Sequence, residues 1–270
     1  MRALEAIDRW GARTAAACVV RADGPAAEHG PRDVALRWAS VTKLLTGLAV
    51  LVAVEEGTVD LDEPAGPEGS TLRHLLAHAS GLAVDEDETL TSPGRRRIYS
   101  NAGIELAAAL VAERAEMPFS EYLQQAVATP LSLGGALRGS PAWGWQGPLG
   151  DLAALASELL APTLVAGETL AEATTVQFPG LVGVLPGWGR MDPNDWGLAF
   201  ERRDAKSPHW TGGRNSERTF GHFGAAGTFL WVDPEVGLAC GVLTDREFGD
   251  WSKEAWPALS DSVLREHRAY

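Results

Sequence analysis

The sequence predicts an α+β fold in which both ends of the chain form an antiparallel sheet flanked by helices, with an all-α subdomain inserted between them. Strand character appears in residues 13–40 and again in residues 195–245, whereas the stretch between them is typical of helices joined by loops rich in Pro and Gly. Strands and helices do not alternate regularly, which argues against a doubly wound parallel sheet. We therefore expect an α/β domain made of residues 1–58 and 193–270, with a helical insertion at residues 59–192.

The N-terminal part contains two predicted strands and one long helix. Residues 13–22 and 33–40 are rich in apolar residues and flank a turn containing Gly, Pro and Glu. Apolar residues then follow helical spacing at Leu44, Leu45, Leu48, Leu51 and Val52. The other side of this helix is apolar as well, so we expect it in the centre of the protein. Gly57 is expected to end it.

The rest of the chain has a helical middle and a strand-rich end. Helices are predicted at residues 72–79, 102–115, 120–128 and 150–160. Strands are predicted at residues 195–203, 228–234 and 237–245, the last two joined as a hairpin. An amphipathic helix at residues 250–268 closes the chain.

Composition and charge argue against several classes of protein. The chain has 270 residues, a net charge of −13 and a pI near 4.9, which disfavours nucleic acid or an anionic membrane as a partner. Glu5 and Asp8 interrupt the stretch where a signal peptide needs an apolar core, and the longest apolar run is about half of the ~20 residues that a membrane-spanning helix needs. We expect a soluble, cytoplasmic protein in which Cys18 and Cys240 are buried thiols rather than a disulfide. The oligomeric state, and whether the two cysteines are close together, stay open.

A lysine in the apolar helix is the first candidate catalytic feature. Lys43, one of only three lysines, lies in the first turn, where burial would lower the pKa of its amine. Ser40 precedes it by three residues, so both side chains share one face at a helix start, where free N–H groups can stabilise an oxyanion. This spacing is typical of a serine nucleophile activated by a lysine base. The alternative is an N-cap serine beside a lysine that reaches solvent.

Loops contain the other candidates. Tyr99 and Asn101 follow a Pro-Gly turn and precede a helix, so they can point into one pocket as an acid/base phenol and an amide donor, or else serve as a packed aromatic and an N-cap. His222 lies among glycines just ahead of a predicted strand, where a substrate can approach the backbone. His74 and His78 have the spacing of a metal pair, but they lack an obvious third ligand, so we predict no metal site.

Three motifs, taken in their order along the chain, resemble those of serine β-lactamases and penicillin-binding proteins. They are Ser40-Val41-Thr42-Lys43, Tyr99-Ser100-Asn101 and His222-Phe223-Gly224. The form is most similar to class C β-lactamases and related esterases, in which H-x-G can stand in place of K-T-G. Segments 74–82 and 227–238 also resemble family signatures, and the similarity extends over residues 36–245. The fold that the resemblance implies, β-lactamase/transpeptidase-like, is the predicted antiparallel sheet with flanking helices and an all-α domain.

The resemblance implies a role for each motif residue. Ser40 would be the nucleophile that forms an acyl-enzyme, Lys43 its hydrogen-bonded partner, and Tyr99 an acid/base that is deprotonated or nearly so. Asn101 would bind the carbonyl or amide of the substrate. The N–H groups of Ser40 and Ala225 would form an oxyanion hole in which each donor is worth about 3 kcal/mol. No metal or cofactor is implied.

Departures from the family pattern bear on the substrate. The Lys and Thr of K-T-G help to hold a carboxylate, whereas His222 and Phe223 supply neither a fixed charge nor a hydroxyl. We therefore expect a serine hydrolase acting on small or medium acyl esters, with a small-molecule ester or amide as its partner. A β-lactamase or D-Ala-D-Ala carboxypeptidase with the same site, or a non-catalytic binding protein on this scaffold, are the alternatives. An α/β-hydrolase is set aside because G-x-S-x-G does not occur.

Two further groups have open interpretations. The run Arg95-Arg96-Arg97 could attract an anionic group, although a solvated surface run is the favoured interpretation. Tryptophans of the insertion could line an acyl pocket, although structural packing is favoured; they include Trp143, Trp145 and Trp188.

Overall fold

A six-stranded antiparallel sheet lies at the centre of the protein, for which a computed structural model describes residues 1–267. The strands in chain order are β1 (Ala15–Arg21), β2 (Gly24–His29), β3 (Leu36–Arg37), β4 (Ala136–Leu137), β5 (Trp145–Gly147), β6 (Gly183–Leu185), β7 (Gly189–Met191), β8 (Glu201–Arg202), β9 (Phe220–Gly224), β10 (Thr228–Asp233) and β11 (Leu238–Thr244). The order across the sheet is β2-β1-β11-β10-β9-β8, and every neighbouring pair is antiparallel. Both ends of the chain thus contribute to one antiparallel sheet, which confirms the predicted fold class.

Helices cover both faces of this sheet. They are α1 (Thr42–Glu55), α2 (Leu72–Leu76), α3 (Asn101–Arg114), α4 (Phe119–Leu123), α5 (Leu149–Leu160), α6 (Gly167–Thr174) and α7 (Asp250–His267). A 3₁₀ helix at Arg2–Arg9, a 3₁₀ turn at Ala39–Val41 and a π-helical turn at Gln124–Ala128 complete the set. Helix α5 packs on β1 and β11 from one side, and α7 packs with Arg2–Arg9 on the other.

Side chains alternate across the sheet, so that each face has its own hydrophobic core. Cys18 and Val20 of β1 belong to the core shared with α1 and α5, whereas Ala17 and Val19 belong to the core shared with α7. Cys240 of β11 lies in this second core. The two cysteines are therefore on neighbouring strands but on opposite faces, and both are free buried thiols, as predicted.

Helix α1 is enclosed on all sides, as its apolar sequence predicts. Every residue from 42 to 53 is buried. Gly57, just beyond the helix, has a φ of 73°, which suits glycine at a helix end. Gly47 allows a close contact with the chain before β8, because a Cβ at this position would lie 2.7 Å from the Cβ of Ala199. Helix α1 also contacts β9, and the 3₁₀ turn before it contacts both β9 and β10.

Several local predictions were wrong. The segment interpreted as a turn is the edge strand β2, where Pro25 is tolerated because one side of the strand has no neighbour in the sheet. The predicted strand 33–40 is reduced to β3, which pairs with β5 instead of the central sheet. The strand predicted at residues 195–203 is likewise reduced to β8. His222 does precede the predicted strand, which is β10, but it lies within a strand of its own, β9, and not in a loop.

The middle of the chain is mostly helical but also contributes to two small sheets, β6-β7 and β3-β5-β4, of which the second includes β3 from the N-terminal part. Helices predicted at residues 72–79, 102–115, 120–128 and 150–160 are present with shifted ends. The division into two domains at residues 58 and 193 remains a prediction. Within residues 1–267, no helix has both the length and the apolar character required to cross a membrane.

Candidate active site

Ser40 and Lys43 lie at the entrance to α1, where the 3₁₀ turn runs into the helix. Lys43 Nζ is 3.3 Å from Ser40 Oγ and donates to the Ala142 carbonyl at 2.8 Å. Lys43 is fully buried, and this burial lowers the pKa of its amine to about 7. The alternative of a lysine that reaches solvent is therefore wrong. Ala39, directly before Ser40, has a φ of 47°, a left-handed conformation that is uncommon for a residue with a side chain and typical of functional turns.

Tyr99 approaches the same serine from the loop before α3. Its hydroxyl donates to Ser40 Oγ at 2.7 Å, and its ring centroid lies 4.8 Å from Lys43 Nζ. Ser100 fixes this loop, because its Oγ caps α3 at the Gly103 N–H and donates to the Ala83 carbonyl. Burial raises the pKa of Tyr99. The phenol is therefore protonated in the resting site, which corrects the expectation of a nearly deprotonated tyrosine.

Asn101 is the first residue of α3 and connects Lys43 to a surface acid. Lys43 Nζ donates to Asn101 Oδ1 at 2.6 Å, and Asn101 Nδ2 donates to Asp85 Oδ1 at 2.7 Å. The cap of α3 is Ser100 and not Asn101, so the alternative role of Asn101 as an N-cap is wrong. The amide oxygen of Asn101 therefore faces Lys43, and its amide nitrogen faces Asp85.

His222 on β9 is a neutral base beside this cluster. Its Nδ1 donates to the carbonyl of Phe223 at 2.7 Å; a carbonyl can only accept, so the ring proton lies on Nδ1. Nε2 then has a free lone pair, and it is buried without a partner among the described residues. Burial, assisted by the charge of Lys43, lowers the pKa of His222 to about 3. The ring therefore carries no positive charge at neutral pH.

The end of β9 runs close beside the nucleophile turn. A Cβ on Gly224 would lie 2.6 Å from the Trp38 carbonyl oxygen and 2.7 Å from Thr228 Oγ1, so only glycine fits without a shift of the backbone. Ala225 follows at the mouth of the site and is exposed. Phe223 is buried in an aromatic cluster with Trp210, Phe248 and other rings.

Two cavities meet at Ser40, and both are also lined by Asn101 and Ala225. The first, of about 280 Å³, is called the basic cavity here and is lined by Arg37, Arg138, Trp143, Trp145 and Gln146. The second, of about 250 Å³, is called the aromatic cavity and is lined by Tyr99, Pro186, Trp196, His222, Phe223 and Phe248. The nucleophile candidate therefore has room for a substrate group on each side.

Sequence reasoning missed or misjudged several of these residues. Arg37, Arg138, Trp196 and Phe248 are distant from the motifs in sequence, and no local pattern marks them. The favoured interpretation of Arg95-Arg96-Arg97 as a solvated run is wrong for Arg97, whose guanidinium is buried and donates to four backbone carbonyls, those of Ala77, Gln177, Phe178 and Asn194. Burial correspondingly lowers the pKa of Arg97 to about 10.

Some tryptophans and histidines of the middle segment line the candidate site, and others pack or hydrogen-bond behind it. Trp143 is half-exposed and lines the basic cavity together with the buried Trp145. His78 lies behind Tyr99, with ring centroids 4.8 Å apart, and accepts from the Ser100 N–H at 3.1 Å. His74 Nδ1 contacts Thr71 at the start of α2. Residues 1–267 contain no group of three or more potential metal ligands.

The fold is that of β-lactamase-like serine hydrolases. The chain belongs to the β-lactamase family, whose model, described as "Beta-lactamase", matches residues 5–264. A crystal structure of a β-lactamase from Mycobacterium bovis is 52% identical, has a TM-score of 0.97, and aligns over 98% of this chain and 99% of that chain. Most of the molecule is therefore superimposable on that relative.

Two more distant relatives are named as an acyltransferase and as a synthase. The acyltransferase calJ from Penicillium decumbens is 35% identical in a match of 119 residues that covers 35% of this chain and only 28% of that protein's length. The unliganded simvastatin synthase LovD from Aspergillus terreus has a TM-score of 0.79 at 17% identity, over 99% of this chain and 97% of that chain. This second likeness shows the shared fold alone.

Proposed function

We propose that this protein hydrolyses small or medium acyl esters through an acyl-enzyme formed on Ser40. The single observation that carries the proposal is the pair of contacts at Ser40 Oγ, to Tyr99 Oη at 2.7 Å and to Lys43 Nζ at 3.3 Å. A serine oxygen in contact with one proton donor and one amine of lowered pKa is poised for nucleophilic attack. A binding protein would have no use for this arrangement.

The hydrogen bonds around Lys43 are satisfied when its amine is neutral. A neutral amine has two N–H donors, which suit the oxygens of Asn101 and Ala142, and one lone pair, which suits the proton of Ser40. Ser40 Oγ in turn accepts from Tyr99. In this state the amine is the general base, and its pKa of about 7 is well matched to neutral pH.

The reaction follows from these positions. Ser40 Oγ forms a bond to the acyl carbon while its proton passes to Lys43, and the N–H groups of Ser40 and Ala225 hold the oxyanion. The bond from the acyl carbon to the leaving oxygen then breaks. Tyr99 donates its proton to that oxygen and is reprotonated by the Lys43 ammonium. Water repeats the sequence on the acyl-enzyme and releases the acid and Ser40.

The third motif favours an ester over a β-lactam or a D-Ala terminus. The lone pair at His222 Nε2 and the phenyl ring of Phe223 offer a carboxylate neither a positive charge nor a hydrogen-bond donor. β-Lactam hydrolysis is the second candidate, and it is supported by the name of the Mycobacterium bovis relative. The nucleophile is the same in both, so one experiment addresses both functions.

The test is the intact mass of the protein after brief exposure to a fluorophosphonate, a penicillin or p-nitrophenyl butyrate. We expect the wild type to form a fluorophosphonate adduct and to release p-nitrophenol rapidly. The control variant Ser120→Ala, which alters an exposed serine of α4, should do the same. Ser40→Ala should form no adduct and release no p-nitrophenol. Penicillin turnover, or a lasting penicillin adduct, would favour the second candidate. Folded wild-type protein that gives no adduct and no turnover would exclude hydrolysis.

A further inference from the structure

The basic cavity combines positive charge with an exposed indole directly beside the proposed nucleophile. Its charged lining side chains are the guanidiniums of Arg37 and Arg138, and no carboxylate lines it within the described residues. This is unusual for a chain with a net charge of −13. Local positive potential in a concave site attracts anions to it.

The two arginines are available to a ligand. Arg138 is exposed and has no carboxylate partner among residues 1–267, and its backbone N–H is held by the Gly144 carbonyl at 2.8 Å. Arg37 Nη2 is 3.4 Å from Glu247 Oε1, a long contact between two largely exposed side chains. An exposed pair of this kind is weak. Both guanidiniums can therefore turn to an incoming carboxylate, for which their planar donors are well suited.

The proton donor decides which part of the substrate occupies each cavity. Tyr99 lines the aromatic cavity and not the basic one. Because the leaving oxygen must reach the Tyr99 hydroxyl, the leaving group departs into the aromatic cavity. The acyl group, on the other side of the carbonyl carbon, then extends into the basic cavity.

We propose that Arg37 and Arg138 form a subsite for an acyl group that ends in an anion, such as the second carboxylate of a dicarboxylic acid. This inference rests on the proposed ester hydrolysis and adds the substrate class to it. The carboxylate lies on the acyl side of Ser40, opposite to His222, and the Trp143 indole lies along the acyl chain. Gln146, which also lines the cavity, supplies an amide N–H to the same group.

The test compares two ester pairs that differ only in where the charge is placed. The acyl pair is 4-nitrophenyl hydrogen adipate and methyl 4-nitrophenyl adipate, and the leaving-group pair is 4-acetoxybenzoate and its methyl ester. We expect Arg37→Gln to lower the ratio of kcat/KM between anionic and neutral adipate by about threefold, which is in the range of exposed charge pairs. Arg138→Glu should lower it by about tenfold, because it replaces an attraction with a repulsion. High salt should reduce the wild-type ratio in the same direction.

Arg218→Glu is the matched control, because it makes the same charge change at an exposed arginine outside both cavities. It should leave both ratios as in the wild type. If the kcat/KM ratio of the adipate pair is equal in the wild type and in Arg138→Glu, the subsite is overturned. It is also overturned if Arg138→Glu changes only the kcat/KM ratio of the acetoxybenzoate pair, because the anion would then belong to the leaving group. Hydrolysis of the neutral adipate reports on the proposed function separately, so that the two proposals fail independently.

Discussion

At the level of single residues, the site contains two buried nitrogen bases that differ in what burial does to them. Lys43 starts from a high pKa, and burial brings it to about 7, into the range where an amine can exchange a proton. His222 starts near neutrality, and the same effect takes its pKa to about 3, out of the useful range. Burial therefore makes the lysine titratable near pH 7 and keeps the histidine neutral.

The pH dependence of ester hydrolysis follows from Lys43. Its pKa is lowered, so the neutral amine predominates above about pH 7 and the ammonium below it. We expect kcat/KM for p-nitrophenyl butyrate to rise tenfold per pH unit up to about pH 7 and then level off. His222→Asn should keep this limb, and Lys43→Arg, which stays charged, should abolish turnover. If the rise of kcat/KM with pH disappeared in His222→Asn, the assignment of this pH dependence to Lys43 would be contradicted.

At the level of elements, loops reach the site because buried polar groups tie them together. Arg97, in the loop before α3, donates to backbone carbonyls of three separate segments: Ala77, the pair Gln177 and Phe178, and Asn194. Each of these carbonyls would lose its donor if the guanidinium were removed. The neighbouring Arg96 is exposed and has no such role.

Substitutions of two arginines in the same run measure how much these hydrogen bonds of Arg97 stabilise the protein. Arg97→Met should lower the free energy of unfolding by about 3 kcal/mol, because several buried carbonyls lose their hydrogen bonds. Arg96→Met should stay within about 0.5 kcal/mol of the wild type, as expected for an exposed position. Urea unfolding followed by circular dichroism is the measurement. Equal midpoints for the two variants would exclude a structural role for Arg97.

Strand β9 has a similarly sensitive position at Gly224. A methyl group there meets the Trp38 carbonyl at 2.6 Å and would push β9 away from the nucleophile turn, carrying the Ala225 N–H with it. We expect Gly224→Ala to reduce kcat for p-nitrophenyl butyrate by roughly 10²-fold, as after the loss of an oxyanion donor. Gly167→Ala at the start of α6 meets no atom within 4 Å and is the control. Unchanged kcat in Gly224→Ala would argue against this oxyanion hole.

At the level of the whole molecule, the interior contains several histidines that burial keeps neutral, together with a buried ion pair between Glu201 and Lys206. Glu201 also contacts His209 and accepts a hydrogen bond from Trp210 at 2.8 Å. Burial raises the pKa of Glu201, but the charge of Lys206 and the hydrogen bonds from Lys206 and His209 outweigh it and pull this pKa down to about 2. Its contribution to stability is thus present above its ordinary pKa and is lost only as the pH falls towards 2.

The histidines make the protein sensitive at milder acidity. Burial lowers the pKa values of His78, His209 and His222, so below about pH 6.5 the unfolded chain binds protons that the folded protein does not. The free energy of unfolding should fall as pH drops from 6.5 to 4.5, with about 2–3 kcal/mol of the loss due to His222. Urea titrations at several pH values measure this, and His222→Asn should be flatter than the wild type. Parallel curves would refute the prediction.

The features that could be predicted from the sequence are those that depend on local residue patterns. The spacing of Ser40 and Lys43, the stripe of α1 and the strands of the C-terminal hairpin depend on neighbours within a few residues, so the sequence determined them by itself. The order of the three motifs also identified the family, because such motifs keep their order in the chain.

Only the tertiary structure decided what depends on distant contacts. Whether Pro25 lies in a turn or an edge strand depends on which strands pair, and whether Arg97 is solvated depends on carbonyls far away in the sequence. The protonation of Tyr99 and His222 depends on desolvation, which is a property of the packed interior. The two cavities, from which the substrate is proposed, arise where separate loops meet around Ser40, and no local pattern in the sequence encodes that meeting.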